Sequence, residues 1–156
     1  MDLIHVLSDD HVYFRGRFHQ LQTLARTSEM ADDKPLIRSL VKDFRRRHQI
    51  HLRRETEVLI PALLEVYRRK KIKPADAFLL QHLQEEHLTV GRNVYLLAQA
   101  LDVRPLPPLW VKHLESLVAA YLPHMDREEK GLFPEAEKCF SLEQLEKMAR
   151  VSVGED

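Results

Sequence analysis

His51-Leu-Arg-Arg-Glu55, running on to Leu59-Ile60-Pro61, is the stretch that decides the fold, because it occurs twice. The second copy is His124-Met-Asp-Arg-Glu128, running on to Leu132-Phe133-Pro134. The copies share His, Arg, Glu, Leu and Pro at the same offsets. Each follows a segment of two acids and a histidine: Asp9-Asp10-His11 in the first half, Glu85-Glu86-His87 in the second. The chain is therefore a doubled unit. Side chains four residues apart lie one above the other on a helix, so the repeat predicts helices that each present a polar pair on one face.

Outward from these motifs, apolar residues recur at steps of three and four in four stretches, which is the helical period. The first carries Leu3, Leu7, His11, Phe14, Phe18, Leu21 and Ala25. The second carries Leu40, Phe44, His48, His51, Glu55, Val58, Ala62 and Val66. The third carries Leu80, Leu83, His87, Val90, Val94, Leu97 and Leu101, and the fourth Trp110, Leu114, Leu117, Tyr121, His124, Glu128 and Leu132. Breakers separate them: Thr27-Ser28 through Lys34-Pro35, Lys73-Pro74, and Asp102 through Pro108. Short connections imply antiparallel neighbours. The expectation is an all-α, up-down-up-down four-helix bundle over residues 1–156 as a single domain. Ser141 with Gln144 three residues on predicts a capping box that opens a short C-terminal helix. Pro61, Pro123 and Pro134 lie inside helical patterns and predict kinks or helix ends.

Composition excludes several classes. Lys and Arg number 24 and Asp and Glu 24, so no strong field draws in nucleic acid or an anionic membrane surface. The basic runs Arg45-Arg46-Arg47 and Arg68-Arg69-Lys70-Lys71 read as solvated helix faces. No stretch is apolar enough to span a bilayer. The lone Cys139 rules out an internal disulfide and reads as inert. With no signal-peptide pattern at Met1-Asp2-Leu3, the expected location is cytoplasmic.

His11, His51, Glu55, His87, His124 and Glu128 all fall on the apolar stripe of their helix. Buried polar groups are costly unless paired or bound to metal. Four imidazoles and two carboxylates from four helices form a box that suits two iron ions, with the carboxylates as bridges; zinc and manganese fit the same donors. Folding the helices back on one another sets His51 opposite His11 and His87 opposite His124. Around this box, His48 reads as a core histidine, with donation to a ligand carboxylate and service as a substitute ligand as the other readings. Tyr121 reads equally as a core tyrosine or as a donor to a bound ligand. His82, His5 and His19 leave the stripe and read as surface. Glu57, Glu86 and Glu129 point away from the ligands on their own helices and read as solvated, as do Arg54 and Arg127.

These paired His-x-x-x-Glu motifs, each followed by Leu-[Ile/Phe]-Pro, resemble the hemerythrin-like HHE cation-binding family over nearly the whole chain. The resemblance implies a four-helix bundle with a non-haem di-iron centre, and its ligands fall on His11, His51, Glu55, His87, His124 and Glu128. The chain departs from the oxygen-carrying hemerythrins, whose third helix has two histidines four apart; here Gly91 stands after His87. Their last helix has an aspartate five residues after its histidine; here Glu128 comes four after. The first departure speaks against reversible oxygen carriage and leaves a coordination position open. The pattern is closer to bacterial di-iron proteins linked to iron–sulfur cluster repair and nitric oxide stress, although this chain lacks their paired cysteines. Ferritin-like bundles use Glu-x-x-His instead. Three readings stand: binding of a small diatomic or peroxide ligand such as oxygen or nitric oxide; a di-iron oxidoreductase or iron donor; and an interaction protein with a structural metal.

Overall fold

The helical periods become helices in a computed structural model that describes residues 1–27, 34–71, 78–103 and 107–152. The first rod is α1, Leu3–Thr27. The second is α2, Lys34–Arg53, a π-helical turn, Arg54–Leu59, and α3, Ile60–Lys70. The third is α4, Phe78–Asp102. The fourth is α5, Leu109–Arg127, a second π-helical turn, Glu128–Leu132, and α6, Phe133–Cys139. A last helix, α7, spans Leu142–Ser152 and packs on α1 and the first π turn. No strand occurs among the described residues, so the chain is all-α. No helix there is long and apolar enough to cross a membrane. The expected turns at Lys73-Pro74 and Pro105 lie outside the described residues.

Cross-links between rods show the up-down-up-down order. On α1 and α2, Asp10 meets Arg47 while Arg17 reaches the Leu40 carbonyl. On α2 and α4, the Arg38 guanidinium donates to the Leu101 carbonyl at 2.8 Å, and His87 meets Glu55 at the far end. Both pairs run in opposite directions. The capping box at α7 is present in both directions: Ser141 N–H donates to Gln144 Oε1 at 2.8 Å, and Gln144 N–H to Ser141 Oγ at 3.2 Å.

Two apolar cores lie at either end of the bundle. One gathers Phe14, Phe18, Phe44, Val94, Trp110 and Tyr121; the other Leu3, Leu7, Leu63, Leu83, Phe133 and Leu145. Each rod crosses from one core to the other through its His or His/Glu positions, so the polar residues form one layer between two dry ones.

The prolines behave differently from expectation. Pro61 and Pro134 neither end the rods nor leave them as plain α-helix. A π turn intervenes between each glutamate and its proline: the Ile60 N–H bonds back to the Glu55 carbonyl, and the Phe133 N–H to the Glu128 carbonyl. Each proline then sits in the first turn of the next α-helix, where a missing donor is tolerated. The wider turn slips the helical phase. Leu59 and Ile60 are both buried, as are Leu132 and Phe133. Beyond Glu55 the buried stripe is therefore Leu59, Ile60, Leu63 and Tyr67, not the expected Val58, Ala62 and Val66, which are only half-buried. Pro123 is carried inside α5, which continues to Arg127.

Candidate metal centre

All six sequence-picked residues converge in the polar layer. His11, Glu55 and Glu128 have no exposed surface, and His51, His87 and His124 are buried. The His11 and His51 rings lie 5.0 Å apart and the His87 and His124 rings 4.7 Å, the pairing the folded-back helices require. Histidine nitrogens face the carboxylates: His11 Nε2 to Glu128 Oε1 3.2 Å, His51 Nε2 to Glu55 Oε1 3.1 Å, His87 Nε2 to Glu55 Oε2 2.9 Å, and His124 Nε2 to Glu128 Oε1 3.4 Å.

The ligand-type atoms fall into two groups. His11, His51, Glu55 and Glu128 form one, and Glu55, His87, His124 and Glu128 the other, each within 4.8 Å. Both glutamates belong to both groups. Both oxygens of each glutamate, and Nε2 of His11, His51 and His87, are buried without a hydrogen-bond partner among the described residues. Inward-facing nitrogen and carboxylate donors that satisfy nothing else match the needs of a divalent cation.

A family match then decides the lineage: the Hemerythrin HHE cation binding domain covers residues 2–136. The chain belongs to that family. No curated protein and no solved structure matches it. In this HHE chain α7 lies beyond the matched residues.

Electrostatics of the HHE layer follow from burial against pairing. Burial alone would disfavour the charged His51, but Glu55, Asp10 and Glu128 outweigh it and hold its pKa well above the usual value. Burial also opposes charge on His87, yet Glu128 and Glu55 raise it to about 9. Glu128 is held well below the carboxylate range, because the facing Glu55, His11, His51 and His87 side chains outweigh its burial.

Outside the histidines stands a carboxylate shell that the single-helix reading missed. Asp10, buried, meets His51 Nδ1 at 3.0 Å, and Arg47 and Arg54 hold it from outside. Burial would raise its pKa, but His51 and Arg47 lower it below the usual value. Glu129 meets His11 Nδ1 at 3.0 Å and takes two bonds from Arg15. Glu86 lies 3.5 Å from His124 Nδ1 and is paired with Arg127. Glu86 and Glu129 are thus partners of the ligands and not solvated acids. Arg54 and Arg127, beside the two glutamates, anchor that shell and are not idle surface charges. Glu57 is exposed as expected, at 3.6 Å from Arg53.

The remaining histidines sort as the stripe argument said. His82 is 44% exposed, and His5 and His19 lie on the surface. His48 is buried and joined to Tyr121 at 2.7 Å. It is a satisfied core histidine, and the phenol that was open to a ligand role is committed to it. Cys139 is half-buried, and its thiol pKa is raised by burial and Glu135, which fits an inert role.

Proposed function

We propose that this protein holds a pair of iron ions within a single domain and binds a small diatomic or peroxide ligand there. His11, His51, Glu55 and Glu128 would hold one ion, and Glu55, His87, His124 and Glu128 the other. The observation that carries the reading is the pair of four-residue groups sharing both glutamates, with their inward atoms unsatisfied. The irons would supply reversible electron transfer and coordination to the ligand. The chain supplies the dry layer and the oriented imidazoles; one turn after His87, a Cβ on Gly91 would meet nothing within 4 Å.

Oxygen or nitric oxide sensing, iron handling and stress response all use this chemistry. An oxidoreductase needs a proton donor beside the ligand, and the Tyr121 hydroxyl is already bonded to His48. Binding is therefore favoured over turnover. The test is the optical spectrum of anaerobically reduced, iron-loaded protein, before and after oxygen or nitric oxide. A stable ligand-dependent band, with about two irons per chain, supports the proposal. Full metal content with no spectral change would leave the metal structural. Repeated consumption of the gas would make the protein an enzyme.

A further inference from the structure

The repeat allows the two halves of the centre to be compared atom by atom. His11 corresponds to His87, His51 to His124, Asp10 to Glu86, Arg54 to Arg127, and Glu55 to Glu128. Two correspondences break the symmetry: Glu129 is matched by Thr56, and Arg15 by Gly91. Both breaks fall beside a single histidine.

In the first half, His11 Nδ1 has Glu129 at 3.0 Å, and Arg15 fixes that carboxylate with bonds of 2.7 and 2.8 Å. In the second half, Thr56 is exposed and gives its hydroxyl to the Leu52 carbonyl at 2.8 Å. Gly91 offers no side chain. Among the described residues, His87 Nδ1 is buried with no hydrogen-bond partner. The other imidazoles repeat the contrast more mildly. His51 Nδ1 is 3.0 Å from Asp10, while His124 Nδ1 is 3.5 Å from Glu86 and makes no hydrogen bond among the described residues. Phe14 also stands edge-on to His51 at 5.2 Å, and its counterpart in the repeat is Val90.

A carboxylate on the outer nitrogen fixes the tautomer, aims the inner lone pair and raises ligand basicity; losing one typically costs about 10–100-fold in metal affinity. We propose that the two metal positions are unequal by about that factor, with the His11/His51 position filling first and the His87/His124 position exchanging. Thr56 and Gly91 set the difference. One ion is resident; the other can be given up while the first holds the layer together. The inference rests on the two-metal reading above.

The experiment is an anaerobic titration of the metal-free full chain with Fe²⁺ in competition with a chromophoric chelator. Wild type is expected to show two steps separated by about 10–100-fold. Glu129→Gln should weaken the tighter step and narrow the gap. Thr56→Glu, alone and with Gly91→Arg, rebuilds the missing pair and should tighten the weaker step by about tenfold or more. Two equal steps in wild type would overturn the inference while leaving the metal pair intact. So would a gap that neither Glu129→Gln nor Thr56→Glu changes. Failure to bind Fe²⁺ at all would instead sink the functional reading. Circular dichroism of each variant confirms folding, and both rebuilt positions are open, so the Glu129→Gln arm stands even if the double variant misfolds.

Discussion

Tyr121→Phe removes one oxygen atom from the place where the two halves of the bundle meet. His48 and Tyr121 occupy corresponding positions in the repeat, three residues before His51 and His124. Their side chains join at 2.7 Å, both buried. Burial, then the neighbouring His51, His87 and His124, push the His48 pKa down to about 3. Burial, then Glu128, Glu55 and Asp10, push Tyr121 well above its usual value. The imidazole is therefore neutral and the phenol keeps its proton, so one hydrogen bond joins the hydroxyl and Nδ1. Without it, Nδ1 is buried and unpaired, at a cost of about 1–3 kcal/mol. His48→Leu strands the phenol at a similar cost. The double variant strands neither group, so it should be more stable than the sum of the single losses by about 1–2 kcal/mol. Urea unfolding of the metal-free protein in chelator, followed by circular dichroism, measures all four corners of the cycle. Additivity within about 0.5 kcal/mol would refute the coupling.

The same pair carries a pH signature. Between pH 6.5, the ordinary histidine value, and about 3, the unfolded chain takes up a proton that buried His48 refuses. The stability from neutral His48 is complete above that window and is lost as pH falls through it, by up to about 1.4 kcal/mol per unit. The advantage of wild type over His48→Leu should shrink accordingly on acidification. Parallel stability profiles for the two proteins would show that His48 is not held neutral.

Further outcomes follow from other residues. His87→Ala should lower bound iron measured by elemental analysis, whereas His82→Ala should not, since His82 is half-exposed and touches only Phe78 and Glu86 among the contacts described; the reverse ranking would move the site. Asp10→Asn should weaken metal binding by about 10–100-fold with helix content retained, read by chelator competition; unchanged affinity would make Asp10 merely an anchor for Arg47 and Arg54. Because His87 rises to about 9 and His51 well above its usual value, metal must displace their protons. Apparent affinity should therefore climb as pH rises toward 9, with proton release seen by calorimetry in buffers of different ionisation enthalpy; uptake with no proton release at neutral pH would contradict this. Gly16→Ala should stabilise the chain by about 0.5–1 kcal/mol, because the helix gains propensity and the new Cβ meets nothing. Gly131→Ala places its Cβ 2.8 Å from Leu79 and should gain less or lose; equal melting shifts for the two would show that Leu79 yields freely.

The parts of this protein governed by one helix at a time were legible in its sequence. Steps of three and four placed His11, His51, Glu55, His87, His124 and Glu128 on inward faces, and Ser141 and Gln144 marked the start of α7. What escaped depends on relations between helices or on one extra residue within a turn. Asp10, Glu86 and Glu129 point away from the ligands beside them, and a single helix wheel therefore assigns the glutamates to solvent. Each is in fact aimed at a histidine on a neighbouring rod. The recurring acid before His11 and His87, and the recurring Arg54 and Arg127, were the available signal. The π turns left a fainter trace, the adjacent apolar pairs Leu59-Ile60 and Leu132-Phe133 just before a proline. Burying both members of each pair and then Leu63 or Ala136 shifts the stripe from the Val58, Ala62 and Val66 phase that a plain α period predicts for the first copy.

The metal-free layer raises a question of charge that its own residues answer. Two carboxylates with no exposed surface would repel each other strongly if both were ionised and unpaired. Here His51 and His87 are pushed toward their protonated forms by those same carboxylates, and Glu128 is pushed toward its ionised form. The imidazoles of His51 and His87 and the Glu128 carboxylate thus favour one another's charged forms. The outer carboxylates do not undo this pairing, because Arg47 and Arg54 compensate Asp10, Arg15 compensates Glu129 and Arg127 compensates Glu86. Loading a divalent cation then exchanges protons for metal within an already shaped layer. That exchange explains why the arginines recur beside the glutamates in both copies of the motif: they let the acids orient histidines without adding net negative charge to the core.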